Sequence, residues 1–375
     1  MDALKRIAVQ ACVIFAIVLA MLAGLEAAAR IAKFVKSQFN SAGNRILLKQ
    51  QWGKQLAVDQ GHLEWRYENY VGYREQAVRS STTNVDGKGR RAVPGNCRDS
   101  STAPSLILLF GGSTMFGYGV PDQFTVPAYL ASALNRSGRC VEILNYGAGW
   151  WQSSQSVIQL LIALREGVRP SAVVFYDGIN DVDVVAFGGA PGGMPPDADQ
   201  LLGSAFEDEA GWKNILRSSV FFRVTARLLS GGRGKSAENA FVNDRKGFHE
   251  AAAGIVQVYV HNVRAVEALA REYGFDAYFF LQPFPVISGK ANTVLEDEAF
   301  QERARYRNGE AELIRATYDE WRNTPYLKNH RRFYDISRLF DGMTQELYLD
   351  TEHLLPEGNR LVAERMAKEI RLHRQ

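Results

Sequence analysis

From Ser105 to the C-terminus, short and largely apolar runs alternate with longer stretches of helical spacing, a rhythm that few folds accept. The runs are Leu106–Phe110, Val141–Leu144, Ala172–Tyr176 and Asp276–Leu281, with Arg332–Ile336 as a fifth. Glycine closes the first at Gly111-Gly112, and Pro283 closes the fourth. Between and after them lie Val126–Leu134, Ser156–Leu164, Ala251–Tyr273, Ala299–Trp321 and Pro356–Leu372, the last with proline suited to a first helical turn. A strand with one wet face alternates apolar and polar residues, whereas a run apolar throughout is buried on both faces. The pattern therefore predicts a three-layer α/β/α sandwich around a mainly parallel, five-stranded sheet. Ligands in such sheets bind beyond the carboxyl ends of the strands.

The N-terminus is of another kind. After Lys5 and Arg6, the nineteen residues Ile7–Leu25 carry no charge and one strongly polar side chain, Gln10. As a helix that run spans about 28 Å, close to a hydrocarbon core of roughly 30 Å. An uncleaved anchor (residues 1–29) in a lipid bilayer is expected, because the run exceeds a usual signal-peptide core. A cleaved signal with Ala27-Ala28-Ala29 as its site is the alternative. Export of the remainder to an extracytoplasmic, periplasmic space is expected from the basic start, although Arg30, Lys33 and Lys36 after the span pull the other way. Cys12 falls inside the run. Cys97 and Cys140 are either a disulfide, as an oxidising compartment permits, or two separate thiols.

Residues 30–104 form a lead-in expected to pack on the 105–375 domain. It has strand-like residues at Trp65 and Tyr70–Tyr73, turns at 86–91 and 93–96, and no catalytic constellation. Residues 183–220, rich in glycine and proline, are too long for a simple connection and read as a lid-like insertion. A net charge of +3 on 375 residues, without a basic stripe, excludes an electrostatic case for nucleic acid.

Three groups with chemical potential follow the first three strands. Gly111-Gly112-Ser113-Thr114 turns tightly enough for a serine hydroxyl to project. Asn145 to Trp150 contains glycines that bring backbone N–H groups near a ligand. Gly178-Ile179-Asn180-Asp181 places a side-chain amide at a strand end. Far along the chain, Asp350-Thr351-Glu352-His353 sets a carboxylate three residues before an imidazole, where it can accept from Nδ1–H and leave Nε2 as a base. Each group alone is a common turn; together, at strand ends, they point to nucleophilic acyl chemistry.

These segments resemble the SGNH/GDSL hydrolases, whose Gly-Asp-Ser-like, Gly-x-Asn-Asp and Asp-x-x-His blocks correspond to Gly111–Thr114, Gly178–Asp181 and Asp350–His353. The resemblance covers roughly Ser105 to Gln375 and is greatest to bacterial, membrane-anchored members. It implies a flavodoxin-like fold, Ser113 as nucleophile, His353 as base and Asp350 as its partner. It also implies an oxyanion hole from Ser113, Asn180 and either Gly149 or Trp150. The chain departs from the family twice. Gly112 replaces the aspartate of the first block, and Trp150 stands five residues after Asn145, where the family's oxyanion glycine lies.

Trp151, Asp181 and Gln282 are weaker candidates for substrate contact. The expected activity is hydrolysis or transfer of small O-acyl groups, acetyl above all, on an envelope or extracellular polysaccharide. A lipase or thioesterase, and a non-catalytic membrane-tethered scaffold for glycan assembly, are the alternatives. No cofactor or metal is expected. Gly231–Ser236 lacks the first glycine of a phosphate loop, since Leu229 stands there. Ser113 is followed by Thr114 and Met115, not by the elbow of the α/β-hydrolases.

Overall fold

The computed structural model describes residues 41–97, 103–194, 245–304 and 309–372. The apolar run 7–25, the Ala27–Ala29 site, Gly231–Ser236 and the part of the expected insertion from residue 195 onward lie outside the described residues. Among the described residues no helix is long and apolar enough to cross a membrane.

The described chain opens with α1 (Ala42–Lys49) and α2 (Gly53–Gly61). An antiparallel hairpin follows, β1 (Trp65–Glu68) and β2 (Gly72–Glu75), then a short antiparallel pair, β3 (Val78–Arg79) and β4 (Asn84–Val85). Beyond it run β5 (Ser105–Gly111), α3 (Ser113–Phe116), α4 (Val126–Arg136), β6 (Val141–Asn145), α5 (Ser153–Arg165), β7 (Ala172–Asp177) and α6 (Ile179–Ala186). The remainder is α7 (Arg245–Tyr273), β8 (Asp276–Leu281), α8 (Val294–Ala304), α9 (Glu310–Asn323), α10 (Pro325–Lys328), β9 (Phe333–Asp335) and α11 (Pro356–Glu369).

The central sheet has the order β6-β5-β7-β8-β9, and every neighbouring pair is parallel. Its strands are apolar on both faces because both faces are covered. Leu108, Phe110, Val173, Phe175, Phe279 and Leu281 pack under α5, α6, α7 and α9. The alternate residues Ile107, Leu109, Val174, Tyr278 and Phe280 pack under α4 and α11. Burying each such side chain contributes about 1.5–3 kcal/mol. The chain leaves β5 toward β6 on one side and returns to β7 on the other. That reversal opens a crevice at the strands' carboxyl ends.

Local chemistry moved several boundaries. Thr125 caps α4 by accepting from Ala128 N–H at 3.3 Å, with Pro127 in the first turn. α5 begins three residues before the expected Ser156, because Gln155 Oε1 reaches back to accept from the Gln152 N–H at 2.9 Å. The stretch expected as one helix over 299–321 is two, and Gly309, at φ 78°, opens the second. Residues 183–186, assigned to the insertion, instead complete α6.

The lead-in is stitched to the sheet. Arg91 bridges between Val85 and Asn145, and its buried guanidinium donates to Asp122 at 2.8 Å and to the Val120 carbonyl at 2.7 Å. Cys97 and Cys140 form a disulfide at the start of β6.

Candidate active site

Ser113 is the first residue of α3, directly after β5. Its N–H belongs to the first-turn donors that a helix cannot satisfy internally. The preceding Gly112 has φ −82°, which any residue adopts; what it provides is space. A Cβ there would fall 2.1 Å from Asn180 Nδ2 and 3.1 Å from the Trp151 carbonyl oxygen. The missing aspartate of the first block thus has a local reason.

Asp350 to His353 lie in a tight loop whose ends, Tyr348 and Leu354, pair as a bridge. Asp350 Oδ1 accepts from the backbone N–H groups of Glu352 and His353, both at 2.8 Å, and so shapes the loop. Its Oδ2 lies 2.7 Å from His353 Nδ1. A carboxylate only accepts, so the proton resides on Nδ1 and Nε2 is left as acceptor. Ser113 Oγ–H donates to that Nε2 at 2.8 Å, across 240 positions of sequence. The structure therefore brings Ser113, His353 and Asp350 into one hydrogen-bonded relay at the carboxyl end of the sheet.

Arg303 braces the loop from behind. It donates to Thr351 Oγ1 at 2.9 Å and contacts Glu352, while also pairing with Asp183 on α6 at 2.8 Å and with Glu310 at 2.7 Å. One guanidinium thus joins the imidazole loop to the helix that carries Asn180.

Asn180, in the first turn of α6, is 8% exposed and donates one amide hydrogen to the Trp151 carbonyl at 2.8 Å. The second hydrogen remains, on a nitrogen pressed against Gly112. Gly149 departs from expectation. Its N–H donates to Glu75 Oε1 at 2.9 Å, which removes it from the candidate oxyanion hole. Trp150 remains for that place. It sits at φ 62°, a left-handed backbone that glycine adopts freely and tryptophan rarely, and its N–H makes no hydrogen bond among the described residues. A tryptophan thus occupies glycine-like backbone five residues after Asn145.

The three weaker candidates are corrected. Trp151 is buried, its indole N–H donates to the Tyr73 carbonyl at 2.7 Å, and Arg74 stacks over its ring. Asp181 is buried and accepts from Ser153 Oγ–H at 2.5 Å, holding the start of α5. Burial pushes its carboxyl up, and burial together with repulsion from Asp181 raises that of Asp177, at the end of β7. Gln282 is buried behind Gly178, with Nε2 unpartnered among the described residues. Trp151 and Asp181 thus spend their polar groups on partners within the protein. Among the described residues no group of three or more His, Cys, Asp or Glu could hold a metal ion.

No family model and no curated protein matches the chain. Among solved structures it is similar to a lipolytic protein of the G-D-S-L family from Desulfitobacterium hafniense, at 11% identity and a TM-score of 0.37, over 71% of this chain and 99% of that one. It is similar to a carbohydrate acetylesterase family member from Sinorhizobium meliloti, at 13% and 0.37, over 70% and 97%. An acetylxylan esterase from Geobacillus stearothermophilus follows at 16% and 0.33, over 71% and 93%. Likeness of that order settles no activity, and the functional reading rests on the site itself.

Proposed function

We propose that the chain is a serine esterase of SGNH type that hydrolyses or transfers small O-acyl groups. One observation carries this reading: Ser113, His353 and Asp350 form a hydrogen-bonded relay, with the Asn180 amide nitrogen against Gly112, next to the serine, and with the Ser113 and Trp150 N–H groups unbonded among the described residues. Ser113 Oγ attacks the ester carbonyl while His353 Nε2 takes its proton. Asp350 holds the ring and stabilises its charged form. The tetrahedral oxyanion is met by the N–H groups of Ser113 and Trp150 and by the Asn180 amide. Collapse expels the alcohol, protonated by His353, and leaves an acyl-serine that water or an acceptor hydroxyl then attacks.

The substrate we favour is an O-acetylated polysaccharide of the cell envelope. Trp150, 40% exposed on the loop after β6, offers a flat apolar ring of the kind on which pyranose rings pack. We propose that the chain acts outside the cytoplasm, tethered to the bilayer through residues 7–25. The Cys97–Cys140 disulfide supports an oxidising compartment.

A fluorophosphonate probe tests the core of the reading: it labels the full chain, and labelling and turnover of p-nitrophenyl acetate vanish in Ser113→Ala. Undiminished labelling in that variant overturns it. Faster turnover of an octanoyl than of an acetyl ester would move the substrate to lipid acyl groups.

A further inference from the structure

A residue far outside the Ser113, Asn180 and His353 segments bonds to the loop that carries Trp150. Glu75, at the end of β2 in the lead-in, is fully buried, and its Oε1 accepts two hydrogen bonds. One comes from Gly149 N–H at 2.9 Å, on the loop after β6. The other comes from Tyr118 Oη–H at 3.0 Å, in the turn after α3. Tyr118 in turn lies against the His353 ring, with centroids 6.1 Å apart. One oxygen atom therefore ties the loop that presents Trp150 to the ring that flanks the imidazole.

Glu75 does not arrive alone. Its partner across the hairpin is Trp65, which stacks on Tyr118 with ring planes 8° apart and covers Gly149 so closely that a Cβ there would lie 2.3 Å from the indole. Glu75 Oε2 is buried with no hydrogen-bond partner among the described residues. Burial pushes the carboxyl above the ordinary glutamate range. A buried carboxyl with one oxygen unpaired is costly, and the two hydrogen bonds to its other oxygen offset that cost.

We propose that Glu75 is a positioning residue of the oxyanion hole. By holding the Gly149 N–H, it fixes the following peptide, so that Trp150 keeps its left-handed backbone and its N–H faces the site. An L-residue in that conformation is disfavoured by about 1–2 kcal/mol, so the loop must be held by its neighbours. The role requires a hydrogen-bond acceptor at the Oε1 position rather than a charge.

The inference rests on the esterase reading, and one variant series separates the two. Full chains carrying Glu75→Gln, Glu75→Asp, Glu75→Met or Ser113→Ala are compared in p-nitrophenyl acetate turnover, in inhibition by a boronic acid that forms a tetrahedral adduct on serine, and in Tm. The Asp variant is too short to reach Gly149, and the Met variant cannot accept. Both are expected to lose at least about 10-fold in kcat with KM nearly unchanged, and to bind the boronic acid correspondingly more weakly. Gln keeps an acceptor oxygen and is expected within about 3-fold of wild type. If Met does not fold, Asp decides.

Asp and Met variants with wild-type kcat overturn the proposal. So does a folded Gln variant as impaired as Met. Turnover surviving in Ser113→Ala overturns the esterase reading and this inference with it. Turnover lost in Ser113→Ala but intact in Glu75→Asp and Glu75→Met overturns this inference alone.

Discussion

The amide nitrogen of Asn180 occupies the place where a side chain at Gly112 would begin, 2.1 Å from the position of its Cβ. Two residues on different strand ends thus share one volume, and the glycine is what lets the amide stand beside the serine. Gly112→Ala must push Asn180 away, because the other close neighbour, at 3.1 Å, is the fixed carbonyl of Trp151. We expect kcat to fall about 10²–10³-fold, the usual effect of losing one oxyanion donor. Asn180→Ala should fall equally, and the double variant no further than either, since both remove the same interaction. Additive losses in that cycle would show that Gly112 acts on something else.

Trp150 allows the second donor to be tested through the backbone. Trp150→Gly keeps the N–H and relieves the left-handed conformation, so turnover of a small ester should stay within a few-fold and stability should rise by about 1 kcal/mol. Trp150→Pro removes the N–H and cannot adopt φ 62°. Activity should then be lost. A Gly variant as inactive as the Pro variant would place the indole, not the peptide, in the chemistry of small esters.

The sheet could be read in the chain because its cause is local: a run buried on both faces is apolar at every position, as in Leu106–Phe110. The relay was legible for a different reason, since Ser113 and Asn180 stand at strand ends and Asp350 and His353 lie three apart. What sequence order cannot convey is the direction in which a strand-end side chain points. Trp151 and Asp181 turn inward because Tyr73 and Ser153 offer partners there. Gly149 was unreadable for the same reason: its acceptor, Glu75, lies 74 positions earlier, and all of Tyr73, Arg74 and Glu75 are buried, so no alternation marks the glutamate.

Asp350 holds two different kinds of donor, and that makes its amide isostere informative. Oδ1 faces two backbone N–H groups and Oδ2 faces the imidazole. In Asp350→Asn, an amide NH2 must face one side or the other. Against the backbone it sets donor on donor and loosens the loop. Against His353 it forces the proton onto Nε2, so that the ring no longer accepts from Ser113. Either way kcat should fall by up to about 10⁴-fold, with the chain still folded. Circular dichroism and p-nitrophenyl acetate kinetics check both halves of the prediction. A variant retaining a tenth or more of wild-type kcat would remove Asp350 from the relay.

Asp177 closes β7 with both carboxylate oxygens buried and, among the described residues, unpartnered, near the carboxyl of Asp181. Burial, and then repulsion from Asp181, raise its pKa in the folded chain. In the unfolded chain the group titrates near 3.9. Above that pH the folded state therefore binds more protons than the unfolded one. Stability contributed by the protonated form is complete below about pH 4 and declines as pH rises toward the raised folded pKa. Asp177→Asn keeps the shape and removes the titration. It should be nearly neutral in stability at pH 4 and stabilising by about 1–3 kcal/mol at pH 8, seen as a Tm several degrees higher. A stabilisation equal at both pH values, or a loss at pH 8, would mean that Asp177 is charged and satisfied in the folded protein.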